Sequence, residues 1–268
     1  MKKYNFTEIA KDYQQKANVQ KSNSDRLIEM LDIQQNHDVL DVGCGPGHIT
    51  KEIRNRVNGY VLGMDPSQGM INEANKNYGH LNIEFQVQSA EEIDFKSQFD
   101  IIFISSAFQW FKNPEECIRN FYSALRNGGK IGIQAPATQN YCPMFIKAIN
   151  QVKINENTQD IFSHYKNPWF FLETTDEYSQ LFQKNGFQIL LSELVEFKTK
   201  KTPKEIYSIF SSGAIAGYLN QEFYDIPINP SYINDFEEIV QESFRQQCPE
   251  NSVCELMFNR IFLIAKKE

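Results

Sequence analysis

From about His37 onward, short apolar runs alternate with amphipathic segments along the chain. The runs are Val39–Val42, Tyr60–Met64, Ile83–Val87, Ile101–Ile104 and Ile131–Ala135. Each is too short for a helix and is bounded by turn residues, which predicts buried strands. The intervening segments read as helices, most clearly NPEECIRNFYSALRNGG. There Asn113 caps, Pro114 suits the first turn, Glu115 and Glu116 complement the positive end of the helix dipole, and Gly128 supplies the stop. Ile118, Phe121, Tyr122 and Leu125 form its apolar stripe. Such alternation predicts an α/β fold with a doubly wound, mostly parallel sheet and helices on both faces.

The regions flanking this alternation differ from it. The first 35 residues read as helix, with Leu27, Ile28 and Leu31 at helical spacing. Residues 137–172 carry Tyr141, Phe145, Phe162, Tyr165, Trp169, Phe170 and Phe171 without a strand period. A capped helix follows at Thr174–Asn185, then a long strand at Phe187–Phe197, a largely helical stretch over 203–250 and a last strand at Leu256–Ala265. The order predicts seven strands, the last two separated by an inserted helical cap. The core is expected at 1–136, 174–200 and 255–268, with an N-terminal lid helix, and the cap at 137–173 and 201–254.

Composition narrows the classes of function. The chain has 268 residues, 41% of them hydrophobic and 23% charged, as expected of a globular chain with a real core. Its formal net charge of -7 disfavours a broad nucleic-acid platform and binding to acidic membranes. The five cysteines are scattered and form no Cys-x-x-Cys pair, which reads as reduced thiols and no metal site. MKKYNFTEIAKDYQQ has no apolar stretch behind its lysines, and no run approaches a membrane span. The expectation is a soluble cytoplasmic protein, a monomer or weak dimer, with no nucleic-acid or membrane partner.

The strongest local chemistry lies in VLDVGCGPG, residues 39–47: an apolar strand carrying Asp41, then Gly43, Gly45 and Gly47, then a helix. Glycine is needed where φ turns positive or a ligand lies against the backbone. A dinucleotide fingerprint places its third glycine one residue later, where this chain has His48, and a phosphate loop ends in Gly-Lys-Ser/Thr. Asp41 would repel a pyrophosphate and suits an ammonium or sulfonium. These residues point to S-adenosylmethionine over NAD or ATP. The second strand ends in Asp65, roughly 20 residues after the loop, where a carboxylate can accept ribose hydroxyls or cap the next helix.

With these motifs in place, the chain resembles the class I S-adenosylmethionine-dependent methyltransferases. DVGCGPG, GMDPSQGMINEA, SAEEIDF and FDIIFISSAFQWF are similar to that family's first four motifs. The opening YQQKANVQKSNSDRLIEML and the Gln109–Trp110 pair resemble malonyl-carrier-protein and trans-aconitate methyltransferases, and FSSGAIAGYL and LMFNRIFLIA resemble the latter subgroup. The resemblance implies a Rossmann-like fold and S-adenosylmethionine as cofactor. It implies Gly43, Cys44, Gly45 and Gly47 along the methionine part, Asp41 near its ammonium, Asp65 at the ribose, and Pro66 and Met70 among the cofactor-binding residues. It also implies Ser89, Ala90 and Glu91 at the adenine, Ser105 and Trp110 at the methionine end, and Tyr13 and Gln20 closing the site. Ser89 departs from the family's usual aspartate and Ser105 from its common asparagine.

Both subgroups methylate carboxylates, yet residues 205–244 contain seven acids and no lysine or arginine. A polyanionic acceptor calls for arginine, and an acidic carrier protein calls for a basic docking face. Lys198, Lys200, Lys201 and Lys204 form only a modest cluster. The aromatic cap favours an apolar pocket. The expectation is therefore methylation of a small, largely hydrophobic acceptor on a carboxylate or hydroxyl, with Gln109, Tyr141, His164, Trp169 and Tyr218 as substrate-binding candidates. No catalytic residue is singled out, because an ionised carboxylate needs no base. The alternatives are a carrier-protein-dependent carboxyl methyltransferase and a catalytically silent cofactor-binding protein.

Overall fold

The computed structural model describes residues 4–7, 18–248 and 252–268, with the side chains of 18–22 outside the description. The chain divides into two compact units. One comprises residues 17–139, 170–195 and 260–268, the other residues 1–16, 140–169 and 196–259.

The chain forms a seven-stranded sheet in the order β3-β2-β1-β4-β5-β7-β6, and strands β1 to β5 lie wholly in the first unit. Helix α1 (Asn18–Leu31) precedes β1 (Val39–Val42), α2 (His48–Arg54) and β2 (Val61–Asp65). Then come α3 (Gln68–Tyr78), β3 (Glu84–Val87), β4 (Phe99–Ser105), α4 (Pro114–Ala124) and β5 (Leu125–Pro136). Strands β1 to β5 pair in parallel, and β7 (Cys254–Lys267) runs antiparallel to β5, with Pro136 opposite Arg260. The edge strand β6 (Phe187–Lys201) completes the sheet. Every residue of β1 is buried, as the continuous apolar run requires of a strand covered on both faces. Leu27, Ile28 and Leu31 of α1, with Ile49, Ile53 and Ile71, build the core on one side. Ile118, Phe121, Tyr178 and Phe182 belong to the core on the other.

Helix α4 starts where its sequence signals place it, with Asn113 Oδ1 accepting from Glu116 N at 3.4 Å, but it ends at Ala124 and not at Gly128. Lys267 Nζ donates to the carbonyls of Tyr122 (2.7 Å) and Leu125 (2.8 Å), which satisfies backbone acceptors at the helix C-terminus with a cation. Strand β5 begins directly at Leu125.

In the second unit, α5 (Pro143–Ile154), α6 (Gln159–Phe162), α8 (Pro203–Ser212), α9 (Ala214–Tyr218) and α10 (Pro230–Gln247) supply the helices; α7 (Thr175–Gln183) belongs to the first. Phe145 of α5 packs edge-on against Phe210 of α8 at 5.1 Å and lies 5.6 Å from Phe244 of α10. The expectation of five reduced thiols is corrected here: Cys248 and Cys254 form a disulfide, while Cys44, Cys117 and Cys142 are free and buried. The end of α10 and the start of β7 bring the two Cα atoms to 5.6 Å, within bridging range, a proximity that no Cys-x-x-Cys spacing announces.

Candidate cofactor and acceptor site

In the sheet order, β1 and β4 are the neighbours at which the direction of winding reverses, and open α/β sheets bind ligands at the carboxyl ends of such strands. The glycine loop leaves β1 at this point. Gly43 has φ 73°, and a methyl built on it would lie 2.3 Å from Ala107 Cβ, so only glycine lets the loop rest against the turn after β4. Gly45 also turns left-handed, at φ 54°, but a methyl there would meet nothing within 4 Å. Its surface is open, as a cradle for a ligand must be. The loop is tied down from below: Gly43 N and Cys44 N both donate to Met64 O, at 2.8 and 3.0 Å.

Two carboxylates flank the loop. Asp65, at the tip of β2, accepts from Gly45 N (3.0 Å, Oδ2) and from Ser67 N (2.9 Å, Oδ1). It therefore joins the two strand tips and opens the turn into α3. A carboxylate has about four acceptor sites, so both oxygens retain lone pairs for ribose hydroxyls. Burial raises its pKa to about 6, against the lowering effect of these backbone bonds. Asp41 lies beneath the loop at 2% exposure and accepts from Thr50 Oγ1 at 2.6 Å. Burial is the main cause that pushes its pKa to about 7; Asp65 pushes the same way and the Thr50 bond opposes both. The nearby Cys44 thiol is buried and held well above its ordinary range, chiefly by burial, which makes it a packing group and not a nucleophile.

The remaining cofactor candidates take several environments. Pro66 is exposed and Met70 is buried on α3. Ser89 donates through N and Oγ to Glu92 Oε2, a helix-start arrangement that occupies its side chain. Ala90 is buried, and Glu91 Oε1 accepts from Lys112 N and Asn113 N, so that carboxylate holds the entry to α4. Ser105 Oγ is 2.7 Å from Ser24 Oγ of α1, and Trp110 closes the short turn that follows β4. Tyr13 lies outside the described residues. Gln20 is in α1, its side chain outside the description.

Of the acceptor candidates, Gln109 belongs to the sheet unit. It is 6% exposed, its Nε2 donates to Ser106 O at 2.9 Å, and its buried Oε1 has no hydrogen-bond partner among the described residues. The other four lie in the second unit. Trp169 packs edge-on to Tyr218 at 4.7 Å and lies 5.9 Å from Tyr141, so these three come together. His164 is exposed after α6 and does not join them. Tyr141 and Tyr218 are buried, and burial raises both phenols, so neither is an ionised base at neutral pH.

Sequence reasoning missed Thr50, the partner of Asp41, and the polar residues Gln134 and Arg260. Thr50 left one signal: it is a hydroxyl among the buried positions Ile49 and Ile53 of α2. Gln134 lies inside the apolar run Ile131–Ala135 and Arg260 directly before the run Ile261–Ala265, which marks a buried polar residue without saying what it meets.

Residues 39–129 match the family model described as a methyltransferase domain. A malonyl-[acyl-carrier protein] O-methyltransferase of Acetivibrio thermocellus is 32% identical over 46% of this chain and 45% of its own length. Over the first three curated relatives the matches span 45%, 66% and 52% of their lengths, so the chain spans about half the length of the relatives it matches. The YcgJ protein of Bacillus subtilis is similar in fold, with TM-score 0.62, 17% identity, and 92% of this chain and 99% of that one covered. So is a Haemonchus contortus phosphoethanolamine N-methyltransferase solved with S-adenosyl-L-methionine, with TM-score 0.55, 18% identity, and 92% and 52% covered. Gly45's open surface and the spare acceptor sites of Asp65 fit that cofactor. Over residues 39–129 the chain is thus similar to methyltransferase domains, on a sheet fold shared with a solved methyltransferase.

Proposed function

We propose that this protein is an S-adenosylmethionine-dependent methyltransferase whose acceptor is a small, largely hydrophobic molecule methylated on a carboxylate or hydroxyl. One observation carries the donor half: Gly45 N–H on Asp65 Oδ2 joins the tips of β1 and β2 beneath an open glycine surface. When bound, S-adenosylmethionine supplies a methyl group on a sulfonium, an already activated leaving group. The chain's residues bind and orient. Asp65 takes the ribose hydroxyls on its spare lone pairs. Asp41, once ionised, gives the cationic methionine end a negative neighbour. Orientation and exclusion of water are the main tasks in such an in-line displacement.

The acceptor half is supported by the Tyr141, Trp169 and Tyr218 cluster and by the lack of cations over 205–244. In this reading the aromatic segments 137–173 and 201–254 serve the acceptor and the remaining segments the cofactor. The second reading, a carrier-protein-dependent carboxyl methyltransferase, is favoured by the names of several relatives. S-adenosylhomocysteine release separates the two. Turnover with a pooled panel of small hydrophobic acids, phenols and amines supports the first reading. Turnover with malonyl-carrier protein and silence with the panel favours the second. Cofactor binding with no turnover on either would argue for a silent binding protein.

A further inference from the structure

Ser106, the first residue after β4, has φ 58°, a left-handed conformation that costs a residue with a Cβ free energy. Each of its polar atoms is held. Its N–H donates to Gln134 O at 2.8 Å, and its carbonyl accepts from Gln109 Nε2 at 2.9 Å. Its Oγ accepts from Arg260 Nη2 at 2.6 Å and Gln134 Nε2 at 3.2 Å. Arg260 Nε donates to Gln134 Oε1 at 2.8 Å, and Gln134 Nε2 also reaches Ser105 Oγ at 2.5 Å. Gln134 is 0% and Arg260 3% exposed. A buried guanidinium on the last strand thus clamps the turn after the central strand, through one amide and one hydroxyl.

That turn is the one the glycine loop rests on. Ala107 follows Ser106 directly, and its Cβ is the atom that a side chain at Gly43 would strike. We propose that Arg260 is a positioning residue for the cofactor: with Gln134 it fixes the strained Ser106 turn, and the turn in turn sets the place of the Gly43–Gly45 loop and of Ser105. Arg260 contacts no cofactor atom in this scheme and acts through Ser106. The proposal rests on the donor reading above. It predicts that binding of S-adenosylmethionine depends on a link more than 200 residues away in sequence from the loop.

The test uses calorimetric affinity for S-adenosylmethionine and thermal melting of the full chain, for Arg260→Lys, Ser106→Gly and their double variant. Glycine accepts the left-handed turn and removes the hydroxymethyl group that carries Oγ, so Ser106→Gly is expected to fold even if the arginine variant does not. Lysine keeps the charge but cannot bridge Gln134 and Ser106 as a guanidinium does. Each single change is expected to weaken affinity about tenfold, the size of one charge-assisted hydrogen bond. The double variant is expected to be no weaker than the weaker single, because both remove the same link. Affinities within about twofold of wild type, or losses that add in the double variant, would overturn the positioning role. Lowered melting with unchanged affinity would reduce Arg260 to a structural part. If wild-type protein itself fails to bind, the donor reading falls first and this proposal with it.

Discussion

Asp41 is 2% exposed, and its described hydrogen bond comes from Thr50. Such a carboxylate is costly to ionise in the free protein and is useful once a cation lies above it. The linkage has a definite sign. The folded pKa, about 7, is above the usual 3.8, so the stability from the neutral form is whole below 3.8 and is lost as pH rises through about 7. Asp41→Asn is therefore expected to melt above wild type at pH 8 and level with it at pH 4, while binding S-adenosylmethionine more weakly at pH 8. Melting curves that differ equally at both pH values would contradict the buried charge. Gly43→Ala meets both the 2.3 Å approach to Ala107 and φ 73°; a loss of about 2 kcal/mol or more in urea denaturation is expected. An unchanged midpoint would mean that loop and turn do not touch. Gly43, Gly45 and Asp65 were legible in the sequence because glycine spacing and a strand-tip acid are local signals. Thr50 and Arg260 were not, because a polar residue in an apolar stripe names no partner.

Lys267 shows the same limit one scale up. Alternating periods disclose strands and helices, since burial of one face is a local requirement. Where a helix ends depends on what receives its last carbonyls, and for α4 that is an ammonium on the final strand, 142 residues beyond Leu125. Gly128 looked like the stop from sequence and instead lies within β5 at φ 82°. Lys267→Met keeps the stem and leaves the carbonyls of Tyr122 and Leu125 without this donor. A destabilisation of about 1–3 kcal/mol is expected from urea unfolding, and wild-type stability would contradict the cap. The Cys248–Cys254 pair is similarly an outcome of where α10 stops and β7 starts. Alkylation of unreduced, denatured protein should label the three free cysteines, with all five labelled only after reduction. Five labels without reductant would remove the bridge.

At the scale of the molecule, the seven-stranded order and its reversal between β1 and β4 place the glycine loop, Asp65 and the Ser106 turn at the carboxyl ends of neighbouring inner strands. Strand count and class were legible, because the fold follows from alternation. The acceptor was not, because the fold hosts many chemistries and the aromatic cluster of the second unit reads equally as core. Among the described residues, no helix is long and apolar enough to cross a membrane. The central claim is that the loop joined to Asp65 binds S-adenosylmethionine, and calorimetric titration of wild type and Asp65→Ala tests it most directly. Expected is one-site binding by wild type that Asp65→Ala weakens by about tenfold or more, since both the ribose contact and the Gly45 bond are lost. No binding by wild type, or an affinity that Asp65→Ala leaves unchanged, would contradict it.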